Sequence, residues 1–286
     1  MIIVLNLSLF KSKIFSMHNT FMKWTARFAS QIAFLTLAGV ALSAFAFQPL
    51  ITDDTGTQGA GGNQLEFSFN EDRASAAGDT VRVQELPVVY TRGLTESIDV
   101  FAGMGYTRIR SSVPGFDSSG IGNPALGAKW RFYEDEELGT SFAIKPEIFF
   151  PVSARREDSG LGTGELSGNL TLILTQEVPF GAVHANLGIG RDRFRDTLNN
   201  SDSTTIRASM APVWDVNEQW KLALDLGTES TRDVGRTLRS NFVELGAIYS
   251  PDKDLDFALG LVRRSDNDSP HTRTNSVTAG ITWRFQ

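Results

Sequence analysis

The stretch LGAKWRFYEDEELGTSFAIKPEIFF, Leu126 to Phe150, alternates on both sides of one short polar turn. Before the turn, Leu126, Ala128, Trp130 and Phe132 interleave Gly127, Lys129 and Arg131. After it, Phe142, Ile144, Pro146, Ile148 and Phe150 interleave Lys145 and Glu147. Period two belongs to strands, whose successive side chains point to opposite faces. Each strand here has one apolar face and one charged face, and the turn EDEELG joins them tightly.

The same pattern recurs along the chain. It runs over Leu65–Phe69, Ile98–Tyr106, Leu170–Leu174, Val183–Ile189, Ile206–Trp214, Trp220–Leu226, Val243–Tyr249, Leu255–Leu261 and Val277–Phe285. A further run, Val81–Tyr90, slips one place near Pro87. With the opening hairpin this makes twelve strands. Their connections read EDRASAAGD, RGLTES, RSSVPGFDSSG, EDEELG, SARREDSGLGTGE, EVPFG, DRFRDTLNNSDST, VNEQ, RDVGRTLRS, SPDKD and RRSDNDSPHTRT. Apart from the modest first one, odd-numbered connections are long and polar while even-numbered ones are tight. A soluble sandwich has no reason for that rhythm. An outer-membrane barrel has, with short periplasmic turns and long extracellular loops. Closure also satisfies every backbone group in hydrocarbon, which an open sheet cannot do. The expected fold is therefore all-β, a transmembrane antiparallel β-barrel of about twelve strands over residues 63–286.

The aromatic residues test this independently. Tyr90, Trp130, Phe132, Phe142, Phe180, Trp214, Trp220, Tyr249 and Phe257 all lie near short-turn ends, as do Trp283 and Phe285 if the chain ends in the periplasm. Trp130, Trp214, Trp220, Trp283 and Phe285 are the expected interfacial girdle. A general preference of aromatics for strands does not place them at one end.

The first 46 residues read differently. An apolar run, Ile32 to Leu42, follows Lys23 and Arg27 and precedes Ala44-Phe45-Ala46. That is the pattern of a cleaved secretory signal, with Phe47 as the mature first residue and Met17 or Met22 placed to be the true start. Removing its four basic residues, Lys11, Lys13, Lys23 and Arg27, takes the net charge from −6 to −10. An acidic exported chain is a poor partner for nucleic acid. There is no cysteine, so neither disulfides nor thiolate metal sites are available.

Four stretches resemble a bacterial outer-membrane transporter family labelled putative MetA-pathway of phenol degradation. They are PLITDDTGTQGAGGNQLEF (49–67), GLTESIDVFAGMGY (93–106), GIGNPALGAKWRFYEDEELGTSFAIKPEIFFPVS (120–153) and VHANLGIG (183–190). The resemblance covers most of the mature chain in order, and implies a barrel that passes small, aromatic or hydrophobic compounds. It brings no catalytic residues and no cofactor. The final strand, Thr278 to Phe285, also resembles the terminal signal read by the barrel-assembly machinery, although Gln286 follows the last aromatic.

The faces opposite the apolar residues carry Glu66, Asp99, Lys129, Arg131, Lys145, Glu147, Arg207, Asp225, Glu244 and Arg284, with His184 and Asn186 on the seventh strand. A basic residue in lipid costs about 2–4 kcal/mol at the midplane, so these belong to the lumen. They line either a hydrated path or a network of ion pairs filling the barrel, since twelve strands fall between filled and open barrels. Gly103, Gly105, Gly188 and Gly190 on the same parity leave room inside. Two alternatives stand beside transport. One is a structural or receptor barrel whose loop arginines meet lipid or lipopolysaccharide. The other is a barrel hydrolase, which needs a His paired with Ser or an acid; after signal cleavage His184 and His271 remain, without a lipase-like spacing.

Residues 47–62 link the signal to the first strand. Asp53 and Asp54 invite a calcium reading, but the D-x-D-x-D-G spacing is absent, and no Lys-Ser/Thr follows the glycines. No cofactor or metal is expected there. The segment is expected at the periplasmic mouth or tucked into the lumen, with Asp53 and Asp54 giving the mouth negative charge.

Overall fold

The computed structural model describes residues 49–76, 78–196, 200–267 and 271–286. The expected signal peptide, residues 1–46, lies outside the described residues.

Thirteen strand segments form one sheet: β1 (Asn63–Ala76), β2 (Asp79–Gly93), β3 (Ile98–Ser111), β4 (Ser118–Ile121), β5 (Ala125–Asp135), β6 (Thr140–Phe149), β7 (Ser167–Val178), β8 (Gly181–Asp192), β9 (Ser203–Asp215), β10 (Trp220–Asp233), β11 (Arg236–Asp252), β12 (Leu255–Asp266) and β13 (Arg273–Phe285). Neighbours pair antiparallel, and β1 pairs with β13 from Asn63↔Phe285 to Ser75↔Arg273, closing the ring. β4 and β5 both pair with β3, on its outer and inner halves, so they are two pieces of one wall strand. Pro124, which has no N–H to give a ladder, stands in the break. The wall thus has twelve strands.

The two faces are reversed relative to a soluble protein. Met104, Leu126, Ile148, Leu187 and Leu245 are exposed on the outside, while Glu66, Asp99, Lys145, Asp225 and Glu244 are buried within. Only an apolar surround makes that arrangement favourable. Among the described residues, no helix is long and apolar enough to cross a membrane. Two inward phenylalanines, Phe101 and Phe242, lie over the glycines directly across from them, Gly127 and Gly227, where any Cβ would collide with the ring.

One end follows expectation closely. The even connections span two to four residues, and aromatic residues pair beside them: Phe180 with Trp214 at 5.8 Å, Trp220 with Tyr249 at 4.8 Å, and Trp283 with Phe285 at 4.6 Å between centroids. Trp130 lies 5.9 Å from Phe132, at the same end of β5. The other end is less uniform than the sequence implies. RDVGRTLRS, expected to be a long loop, is mostly strand: β10 and β11 run to a two-residue turn at Val234-Gly235, with Gly235 at φ 79°. Strands of 14 and 17 residues exceed the ~9–11 needed to cross hydrocarbon, so the surplus stands beyond it. The long β6–β7 connection carries a short helix, α1 (Ala154–Asp158), and folds inward. Its Leu161 is buried against Ala74, Ala76, Val81, Val83 and Ile109, an apolar patch on the inner face of β1–β3.

Candidate functional site

The chain from Pro49 to Gly62 does not stay at the mouth. It crosses the interior and bonds to strands on several sides. Leu50 is buried with Ala211, Val213 and Ala223, and Ile51 with Phe242 and Val262. Pro49 and Leu50 lie over Gly246, where a Cβ would come within 3.0 Å of each. The Ile51 and Thr52 N–H groups donate to Asp225 Oδ2 at 2.9 and 2.7 Å, and Thr52 Oγ1 donates to Asp225 Oδ1 at 2.7 Å and lies 2.7 Å from Ser209 Oγ. One carboxylate of β10 therefore holds two consecutive backbone amides.

Across the lumen, Asp53 meets two lysines. Lys129 Nζ donates to Oδ1 at 2.9 Å and Lys145 Nζ to Oδ2 at 2.6 Å. Burial alone would push the Asp53 carboxyl up, but the two ammonium groups outweigh it and hold it below its ordinary value. With its amide turned, Asn186 also brackets the Asp53 backbone, accepting from its N–H at 2.7 Å and donating to its carbonyl at 2.9 Å. Next, Thr55 N–H donates to Thr175 Oγ1 at 3.1 Å, and its hydroxyl lies 2.6 Å from Ser141 Oγ. Gln58 N–H donates to both oxygens of Asp99. The segment then leaves through a glycine turn: Gly59 and Gly61 have φ of 72° and 84°, and Gly93 lets the Gly59 carbonyl approach where any Cβ would collide.

Of the twelve residues read as lumen-lining, Asp99, Lys129, Lys145, Asn186 and Asp225 bond directly to this segment. The other seven lie on the inner face, five of them with other partners. Arg131 bonds the Glu96 carbonyl at 3.0 Å, Arg284 bonds Asp256 at 2.6 Å, and Arg207 bonds Glu229. Glu147 accepts from Asn169 at 2.8 Å, and His184 Nδ1 lies 2.9 Å from Thr175 Oγ1. Glu66 faces the cavity on the short-turn side. Glu244 is fully buried directly opposite Asp225, and neither of its oxygens has a donor in hydrogen-bond geometry. Asp53 corrects the expected position at the mouth: Lys129 and Lys145, which hold it, lie six and five residues from the short-turn ends of β5 and β6, well inside. Asp54 faces the short-turn cavity, its Oδ1 accepting from Gly56 N–H at 2.6 Å. Glu229 was not read from the sequence because the alternation there stops at Leu226, where Gly227 interrupts it; extending the parity of Asp225 by four residues finds it.

Two cavities bounded by described residues lie in the interior. One, of about 300 Å³, is lined by Asp54, Gln58, Glu66, Asp99, Asp256 and Arg284, close to the short turns. The other, of about 30 Å³, lies on the loop side among Glu147, Asn169, Gly188, Gly190 and Arg207, and has the volume of one water. Asp53 and Lys145 line both, so their ion pair stands at the partition.

The family described as Putative MetA-pathway of phenol degradation matches residues 36–285. The chain belongs to that family. Among solved structures, an outer-membrane channel from Pseudomonas putida F1 superposes on this family member with a TM-score of 0.65 at 15% identity, covering 81% of this chain and 98% of that one. The translocator domain of the autotransporter NalP from Neisseria meningitidis gives 0.52 at 14% identity, over 91% and 97%. The β domain of a Bordetella autotransporter gives 0.51 at 15% identity, over 79% and 100%. At such identities the likeness is one of fold, an outer-membrane barrel, and the short turns of this fold face the periplasm. No curated protein matches the sequence.

Proposed function

We propose that this family member is a gated channel that passes small, aromatic or hydrophobic solutes across the outer membrane. The observation that carries this reading is the Asp53–Lys145 pair between a periplasmic cavity of ligand size and a water-sized one beyond it. The N-terminal segment closes the path, and its hold on the wall is polar and therefore breakable by competing charge or water. The family description, with its reference to phenol degradation, supports the solute class. Export by a cleaved signal over residues 1–46, and recognition of β13 by the barrel-assembly machinery, complete the proposal.

Purified protein in a planar bilayer should give discrete conductance steps, and a deletion strain should take up an aromatic growth substrate more slowly. Silence in the bilayer with unchanged uptake would favour the second reading, a structural or receptor barrel, which the filled interior also supports. No catalytic role is proposed. His184 shares its ring nitrogen with Thr175, which is already bonded to the crossing segment.

A further inference from the structure

At the loop end, β1, β2 and β3 invert their pattern. The inner face becomes apolar, with Ala74, Ala76, Val81, Val83 and Ile109. The outer face becomes basic. Arg73, Arg82 and Arg110 stand directly opposite one another across three neighbouring strands, through the registers Arg73↔Arg82 and Arg82↔Arg110. Through Asn275 of β13, the same line reaches Arg263 of β12. Arg108, paired in register with Gln84, faces outward two residues below Arg110.

Like charges directly opposite in a sheet repel, so such a line is unfavourable unless anions bind it. The wall supplies one carboxylate, Glu71, which lies 2.7 Å from Arg73 and 3.7 Å from Arg82. Among the described residues, Arg108, Arg110 and Arg263 have no ion pair. Around the seventh connection, one of those where the sequence placed contact with lipopolysaccharide, the arginines are engaged at home: Arg191 and Arg193 lie 3.6 and 3.9 Å from Asp202, and Arg195 donates to the Gly164 carbonyl at 2.7 Å.

Height identifies the partner. Arg73, Arg82 and Arg110 each lie four residues beyond an exposed, lipid-facing Phe69, Leu86 or Tyr106. Four residues of strand span about 13 Å, which at a tilt of roughly 40° is about 10 Å along the membrane normal. Arginine stems reach back toward the apolar edge with their heads in the polar layer. We infer that the outer wall of β1–β3 and β12 is a docking surface for the phosphate groups of a phosphorylated glycolipid of the outer leaflet, gripped by the Arg73–Arg82–Arg110 line and Arg263. Guanidinium forks suit phosphate oxygens better than ammonium groups do.

The inference rests on outer-membrane placement but not on solute passage. The test uses the whole barrel in detergent, given lipopolysaccharide, the same lipopolysaccharide after phosphatase, or inorganic phosphate, with bound species read by native mass spectrometry. Wild type should retain intact lipopolysaccharide, and Arg82→Ser/Arg110→Ser should weaken retention by roughly tenfold or more. Arg195→Ser should match wild type. Equal retention after phosphatase, equal retention by the double variant, or complete displacement by millimolar inorganic phosphate would each overturn the inference. Heat-modifiable migration checks folding of the double variant; if it does not fold, Arg110→Ser alone carries the same contrast. A barrel that conducts but ignores lipopolysaccharide overturns this inference alone, and one that binds it but stays electrically silent overturns only the channel.

Discussion

Asp53 of the crossing segment is shared by two lysines of adjacent strands, Lys129 of β5 and Lys145 of β6, at 2.9 and 2.6 Å. All three side chains are largely removed from solvent, so the cluster is valuable only while complete. Asp53→Asn would remove the carboxylate that both ammonium groups share, leaving Lys129 only the longer contact to Asp54 at 3.7 Å. Removing one partner from a buried ion pair costs about 3–5 kcal/mol, because the survivor stays buried and unpaired. The segment is expected to detach in this variant. Single-channel conductance should rise and a protease should cut between residues 49 and 62, where wild type resists. Unchanged conductance and unchanged protection would show that the Thr52–Asp225 bonds hold the segment alone.

The same cluster sets a pH dependence whose sign is fixed. The folded Asp53 carboxyl lies below its unfolded value, so its contribution is fully present above the ordinary aspartate range of about 3.9. It is lost as pH falls through the depressed folded value. The segment should therefore stay anchored at neutral and mildly acidic pH, with openings becoming frequent only in stronger acid. Bilayer recordings stepped downward from pH 7 should show a flat region before the rise. Asp53→Asn should remove the component that depends on this group. A rise beginning near pH 6 would assign the gate to some other group.

The barrel was legible because lipid and lumen impose alternation on every strand, and one residue of slip would reverse every face. That logic places Lys129, Lys145 and Asp225 inward from Leu126, Ile144 and Leu224 alone. Pairing was not legible, because parity says which face a side chain shares but nothing of height or reach. Arg207 could be put inside, yet its partner Glu229 lies on a neighbouring strand and is found only through the register Arg207↔Glu229. The crossing segment was the hardest part. TDDTGTQGAGG has no period, and its structure is dictated by carboxylates and lysines 36 to 173 residues away in sequence. The ninth connection misled for a related reason: arginine and threonine in RDVGRTLRS look like loop residues, but beyond the membrane a strand faces polar surroundings and needs no apolar side.

Glu244 offers a change in the stabilising direction. It is fully buried directly opposite Asp225, and neither of its oxygens meets a donor in good geometry. Asp225, by contrast, has three donors from Ile51 and Thr52. Glu244→Gln keeps the shape, removes charge next to Asp225 and adds an amide donor. It should raise thermal stability by about 1–3 kcal/mol, the usual penalty for a buried group left unsatisfied. The heat-modification midpoint in detergent gives the measurement. A lower midpoint would mean that the carboxylate has a role that an amide cannot fill.

Arg207 and Glu229 make the last case, a pair on neighbouring strands whose value differs from the cost of breaking it. Both are buried, and Arg207 also borders the small cavity above Asp53. Arg207→Ala should cost about 3–5 kcal/mol, because Glu229 remains buried without its counter-charge. Arg207→Met/Glu229→Leu should recover most of that loss, since replacing a buried pair by apolar groups of similar volume is often neutral or better. Unfolding midpoints of the two variants and of Glu229→Leu alone complete a double-mutant cycle. Recovery in the double variant with altered ion selectivity would show that the pair is retained for the solute path. Failure to recover would make it a structural tie between β9 and β10.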